Sequence, residues 1–288
     1  MRKPLFFLAF LLWLPASLSA ARWLENDYTF GSNGMKKDTL SVFSGVSQRV
    51  NAGLQATYYR DNISFDKIYS FRLPLMFSGR SEFVSFTPFL YPVAAKTRSG
   101  AYGGKIDLVT SLTDPDDNNY LHLTLSGSWA RQRAMLAGAA DKKEFTESAL
   151  QLQIEKSFYK QFIFLVSGAG FAKPSGVSNA TLVTPALDHA DMAYTGTYAQ
   201  VTALPEWIMS VQMARSMKPE YNSYLYAGYS KISFRRADAA NSITAGIKIG
   251  INNRTTLDLA YNPYKPEGAS WKNYYKLLFK FYFIPEKE

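Results

Sequence analysis

The chain has 288 residues, with 32 Lys and Arg against 23 Asp and Glu, two His and no Cys. That length holds one large domain or two ordinary ones. The absence of Cys excludes a disulfide framework, a thiolate metal site and a cysteine nucleophile, and an aromatic content of 15% excludes a disordered chain.

The first 21 residues read as a leader. Arg2 and Lys3 supply a positive start, Leu5 to Leu14 an apolar run, Pro15 its end, and Ala16, Ser17, Ser19, Ala20 and Ala21 a small-residue region. This is the form of a cleavable secretory signal, and Ser19-x-Ala21 places the cut after Ala21. The apolar run is too short for a helix to span a bilayer, which takes ~20 residues. No Cys follows it, so a lipoprotein is excluded. Losing Arg2 and Lys3 lowers the formal charge from +9 to +7.

Past the leader the hydrophobic pattern has period two. Leu121, Leu123, Leu125, Gly127 and Trp129 alternate with His122, Thr124, Ser126, Ser128 and Ala130. Leu150, Leu152 and Ile154 alternate with Gln151, Gln153 and Glu155. Trp207, Met209, Val211 and Met213 alternate with Ile208, Ser210, Gln212 and Ala214. The last run sets Tyr275, Leu277, Phe279, Phe281 and Phe283 against Lys276, Lys280 and Tyr282. This is strand periodicity, with no competing helical pattern over any long window.

In chain order the predicted strands are 39–49, 52–60, 65–75, 82–91, 101–113, 118–131, 146–157, 161–173, 190–204, 207–217, 221–234, 241–251, 255–262 and 271–283. Residues 22–38 are an N-terminal segment or a first strand, 39–283 form one β-barrel, and 284–288 are a short tail. About 14 strands are expected, within a range of 12 to 16, since 22–30 could add one and a strand between 207 and 262 could have been split. Tight turns fall at 48–51, 78–80, 114–118, 159–161, 204–206 and 252–254. Longer polar connections fall at 31–38, 92–100, 132–145, 174–190 and 263–270.

Short and long connections mostly alternate, as in a transmembrane antiparallel up-and-down barrel. Many runs reach the ~9–11 residues of a tilted membrane strand, longer than the usual 5–6 of soluble strands. Aromatic pairs at predicted strand ends, such as Tyr58/Tyr59, Phe89/Tyr91, Phe158/Tyr159 and Tyr282/Phe283, suit headgroup girdles.

On these residues the chain resembles Gram-negative outer-membrane β-barrel proteins as a class. Tyr275, Leu277, Phe279, Phe281 and Phe283 are similar to the C-terminal signature read by the barrel-assembly machinery, although Ile284 to Glu288 follow it here. The resemblance implies a cell-outer-membrane location and that machinery as a partner in biogenesis. It implies no substrate.

The pleat assigns one face to lipid and the other to the lumen. Lumen-lining candidates are Arg72, Lys105, Asp107, His122, Glu155, Lys248, Asp258, Lys272, Lys276 and Lys280, with Asp66 and Glu147 as further charges. They form either the lining of a water-filled channel with mild anion preference or a set of salt bridges filling the interior, since charge on this face needs a partner or water. Lys272, Lys276 and Lys280 make a basic stripe that Asp258 and Glu155 could neutralise.

No catalytic residue, metal ligand or cofactor site is expected. His122 reads as polar lining. Asp188-His189-Ala190-Asp191 resembles the Asp–His group of outer-membrane proteases, but the further paired acids are missing. Outer-membrane phospholipases are similar in length and leader, but their His-Asp-Ser-Asn-Gly run is absent. Gly168-Ala169-Gly170 reads as room for neighbouring side chains. No nucleic-acid motif accompanies the positive charge. Outer-membrane lipid and lipopolysaccharide phosphates are the expected anionic partners, with Lys36, Lys37, Lys96, Arg98, Arg131, Arg133, Lys142 and Lys143 as contacts. The expected function is a passive channel or transporter for small polar or weakly anionic solutes. The alternative is a structural or interaction barrel working through its loops, with a surface hydrolase third.

Overall fold

The computed structural model describes residues 21–62, 67–95, 98–114, 118–135, 142–174, 204–218, 223–235 and 237–283. Fifteen ladder segments form one antiparallel sheet. They are β1 (Ala21–Gly31), β2 (Met35–Gly45), β3 (Val50–Arg60), β4 (Lys67–Arg72), β5 (Leu75–Ser78), β6 (Glu82–Tyr91), β7 (Gly100–Ser111), β8 (Leu121–Met135), β9 (Lys142–Phe158), β10 (Phe162–Phe171), β11 (Pro205–Lys218), β12 (Ser223–Phe234), β13 (Ala240–Asn252), β14 (Thr255–Pro266) and β15 (Lys272–Tyr282).

β4 and β5 are two halves of one wall strand. Pro74 has no N–H to give the ladder, and the chain breaks regular pairing there. Leu73 N still donates to Pro88 O at 3.1 Å, and Gly53 N to Pro74 O at 2.8 Å, so the wall stays bonded across the gap. The barrel therefore has 14 strands, closed and up-and-down.

The count agrees with the sequence expectation, but two members of the set differ. Residues 21–31 are a full wall strand, and they close the barrel. β1 pairs with β15 from Trp23↔Tyr282 to Gly31↔Tyr274 and with β2 on its other edge. The expected strand 190–204 lies outside the described residues, and β10 pairs directly with β11 from Phe162↔Arg215 to Gly170↔Trp207. No strand between 207 and 262 was split. Leu204-Pro205-Glu206 is no turn either: Pro205 opens β11, where a missing N–H costs least.

At the end that carries both termini, the connections 46–49, 79–81, 159–161 and 253–254 are tight. Tyr159 and Lys160 both take left-handed backbone, φ 52° and 57°, the two-residue hairpin geometry that matches strand twist. The opposite end carries the 92–99 connection and the ends of β8, β9, β10 and β11, where the sequence between β8 and β9 and between β10 and β11 is longer.

Side chains alternate as the pleat demands. Leu125, Leu150, Leu152, Ile154, Val166, Met209, Val211, Leu225, Leu277 and Phe279 are exposed on the outer surface. Their neighbours Ser126, Gln151, Ser167, Ser210, Ser230 and Thr244 are buried on the inner one.

The expected aromatic girdle divides between the two faces. Tyr58, Tyr69, Tyr261 and Tyr275 lie on the outer face, with Tyr58–Tyr69 and Tyr261–Tyr275 in ring contact. Tyr59, Phe89, Tyr91, Tyr224, Tyr274 and Tyr282 take inner registers instead. Phe89 and Tyr91 pack with Ile68, Ala94, Ala101, Ala130 and Tyr59 in a buried cluster inside the long-loop end. Gly168 and Gly170 also differ from expectation. They face outward, with nothing within 4 Å of where a Cβ would stand.

Candidate functional site: the inner wall

All ten lumen-lining candidates occupy inner registers, but they fall into separate groups. The largest spans β13, β14, β15 and β1. Lys248 pairs with Asp258, Asp258 with Leu278, and Leu278 with Asp27, so these side chains form one row across four strands. One pleat to either side stand Lys276, beside Thr29, and Lys280, beside Glu25.

Lys276 Nζ sits 3.5 Å from Asp258 Oδ2 and 3.9 Å from Asp27 Oδ2, and its side chain is only 13% exposed. Tyr226 Oη donates to the other Asp258 oxygen at 2.6 Å. It reaches across β13 because Gly246 lies between: a Cβ there would come within 2.4 Å of the phenol oxygen. Lys280 lies over two rings, 4.9 Å from the Trp23 centroid and 4.7 Å from that of Tyr282. Lys272 stands at the long-loop end, opposite Tyr264.

The basic stripe is thus real as geometry but not as an isolated field. Its central member is held between two carboxylates. Asp258 is one, as expected. Glu155 is not the other: it stands on β9 and accepts from Tyr120 Oη at 2.7 Å. The second neutraliser is Asp27, which with Glu25 is not among the expected lumen residues because it stands in the segment 22–38, whose strand character is open in the sequence. The signal is present in Trp23-Leu24-Glu25-Asn26-Asp27-Tyr28-Thr29-Phe30, whose alternation is spoiled by Asn26 on the outer face and Trp23 on the inner one. Asn26 Nδ2 donates to Asp38 Oδ1 at 2.8 Å.

A second group lies on β7, five wall strands from β1. Lys105 Nζ is 2.8 Å from Asp107 Oδ1. Ser85 Oγ donates to one oxygen of Asp107 at 2.9 Å and Ser126 Oγ to the other at 2.5 Å. The carboxylate is held from three sides, while Lys105 keeps 29% exposure to the interior.

The rest are local. Arg72 Nη2 donates to Tyr91 Oη at 3.0 Å, beneath the buried aromatic cluster. His122, opposite Glu155 in register, stacks on Tyr120 at 4.2 Å. Burial, and after it the Glu155 charge, raises the Tyr120 phenol pKa. Glu147 is 1% exposed and accepts from Gln132 Nε2 at 3.1 Å. Asp66 and the Asp188–His189–Asp191 group lie outside the described residues.

The inner wall carries paired and hydrogen-bonded charges of both signs. Among the described residues no three of His, Asp and Glu stand together as a metal site. The expected lipopolysaccharide contacts also separate: Lys36 is on the outer face, whereas Lys37 points inward opposite Thr29 and Tyr59.

No family model matches the sequence, and no curated protein matches it. Solved structures match by fold. The CymD monoaromatic hydrocarbon channel superposes with a TM-score of 0.56 at 13% identity, over 91% of this chain and 88% of that one. CdiB from Acinetobacter baumannii gives 0.51 at 8% identity, over 91% of this chain and 60% of that one. The NanC porin gives 0.48 at 9% identity, over 90% and 98%. Identities this low speak of fold alone. The chain thus shares with CymD and CdiB the fold of a closed antiparallel β-barrel.

Proposed function

We propose that this chain is exported by its cleaved leader to the outer membrane and serves there as a passive channel for small polar or weakly anionic solutes, with no catalysis. The carrying observation is the width of the barrel, with no element among the described residues to fill it. Among the described residues every element longer than three residues is a wall strand. Fourteen strands enclose more space than inner side chains fill, unlike eight. The half-exposed Lys105 and Lys248 supply positive charge facing that space. CymD, a monoaromatic hydrocarbon channel, and NanC, a porin, are consistent with this reading. The outward set Tyr275, Leu277, Phe279 suits recognition by the assembly machinery.

A second reading is a barrel that works through its loops. Its support is the packing inside the long-loop end, where Tyr274, Gln132, Glu147 and Asn262 are fully buried. Planar-bilayer recording separates the two. Purified, heat-modifiable barrel should give stepwise ion current, and a folded barrel without current would overturn the channel. Intact mass of the membrane form should begin at Arg22.

A further inference from the structure

A polar pair interrupts the apolar outer wall beside the line of closure. Asn26 stands midway along β1 on the outer face, between Phe279 on β15 and Leu40 on β2. Its Nδ2 donates to Asp38 Oδ1 on β2 at 2.8 Å. Asp38 also takes an outer register and is exposed. An acyl chain offers such groups neither a proton donor nor a counter-charge, and a lipid phosphate would repel the carboxylate. One hydrogen bond from Asn26 leaves Asp38 room for a further donor or a cation. A second protein surface meets that need where lipid does not.

The chain carries the complement itself. Arg60 on β3 is exposed and takes an outer register opposite Lys36, one pleat from Tyr58, which stands opposite Asp38. Asp38 and Arg60 are therefore diagonal neighbours, ~7–8 Å apart. A second copy, turned about a two-fold axis along the membrane normal, presents the same two residues in reverse order at the same depth. With the axis between them, each Asp38 lies within reach of the Arg60 guanidinium of the other copy. One patch then makes two ion pairs, the self-complementarity that a two-fold interface requires.

The surface below suits close approach. The outer face of β2 and β3 carries Leu40, Val42, Ala52, Leu54 and Ala56, and no ring. In lipid, close packing of short side chains with polar groups between them holds protein surfaces together. The far side of the barrel lacks this combination: the outer registers of β10 and β11 hold no acid to meet Arg215.

We propose that the outer face of β1, β2 and β3 is the interface of a two-fold dimer of this chain in the membrane, with Asp38 of each copy paired to Arg60 of the other. This rests on the membrane placement proposed above and is independent of whether the lumen conducts.

The test is energy transfer between copies of the full-length barrel in phosphatidylcholine vesicles. The chain has no Cys of its own, so dyes go on Val46→Cys, in the tight turn between β2 and β3. Transfer should be high and persist as lipid is added. Dyes on Gln161→Cys, in the turn between β9 and β10 on the far side, should transfer little. Asp38→Arg sets Arg against Arg, and Arg60→Asp sets acid against acid, so each alone should weaken association about a hundredfold. Mixed with one another, the two variants should associate as wild type does, since each supplies the charge that the other now lacks. Heat-modifiable migration and flotation with the vesicles show that each protein is folded and inserted. The interface is overturned by inserted wild type without transfer, by either variant associating as wild type, by a mixture that stays apart, or by higher transfer from Gln161→Cys. Folded wild type that does not float with the vesicles overturns the membrane placement itself.

Discussion

Lys276 on the last strand reaches Asp27 on the first, Nζ to Oδ2 at 3.9 Å, so an ion pair crosses the line along which the barrel closes. The same ammonium lies 3.5 Å from Asp258 on the other neighbouring strand. With side-chain exposures of 13 to 19%, these groups are too enclosed to be ordinary surface pairs. Lys276 is a closure residue before it is a selectivity residue.

Lys276→Glu should therefore act on stability. It would place a third carboxylate between two, at a cost of about 3 kcal/mol, the scale for breaking an enclosed pair. The expected result is a lower temperature of conversion in heat-modifiable migration, with Lys276→Gln intermediate. The reversal potential across a salt gradient should stay near wild type in whatever fraction folds. A well-folded Lys276→Glu barrel with strongly shifted selectivity would refute the closure role.

Selectivity should depend more on Lys248, which is half-exposed on the inner face. Lys248→Glu adds a carboxylate beside Asp258 and removes an ammonium. Anion-over-cation permeability should fall, with the difference shrinking as salt rises through screening. Bilayer reversal potentials at two salt concentrations measure both effects. An unchanged potential at low salt would remove Lys248 from the conduction path.

Gly246 should resist substitution because Tyr226 lies over it. A Cβ would meet the Tyr226 ring at 2.3 Å and the Leu259 carbonyl oxygen at 2.8 Å. Gly246→Val should displace Tyr226 from Asp258 and reduce the yield of folded barrel. Tyr226→Ala in the same chain should restore part of that yield, since it removes the ring but not the carbonyl contact. No difference in folded yield between Gly246→Val and wild type would contradict the packing.

The two faces of β11 can be told apart with one residue type. Val211 is 51% exposed on the outer surface, and Gln212 faces inward. Val211→Arg should cost about 2–4 kcal/mol in a lipid bilayer if it lies near mid-depth, whereas Gln212→Arg should cost far less. Urea titration in vesicles reads the difference, and equal costs would mean that the face assignment of this strand is wrong.

Orientation is measurable because the chain has no Cys of its own. Glu267→Cys, in the connection after β14, should react with a membrane-impermeant maleimide on intact cells. Asn253→Cys, in the tight turn between β13 and β14, should react only after lysis. The reverse pattern would place the long-loop end in the periplasm.

The sequence by itself determined the class of architecture and the face of nearly every side chain. Period two is a local property: once a run such as Leu121 to Trp129 is extended, alternation sends His122, Thr124 and Ser126 to one side without reference to any other strand. That is why the sequence alone could put the ten candidates on one face, the face whose registers they take in the wall. Tertiary structure decided what each charge meets. Partners across a barrel are set by register and closure, which no single strand encodes. Asp258 could be named as a neighbour of the Lys276 strand because β14 and β15 follow one another in the chain as a single hairpin. Asp27 could not, because 249 positions separate it from Lys276 and only the closing of the sheet brings their strands side by side. The same holds for Lys36, Arg60 and Lys67. Only the registers of β2, β3 and β4 align them at one level of the outer face.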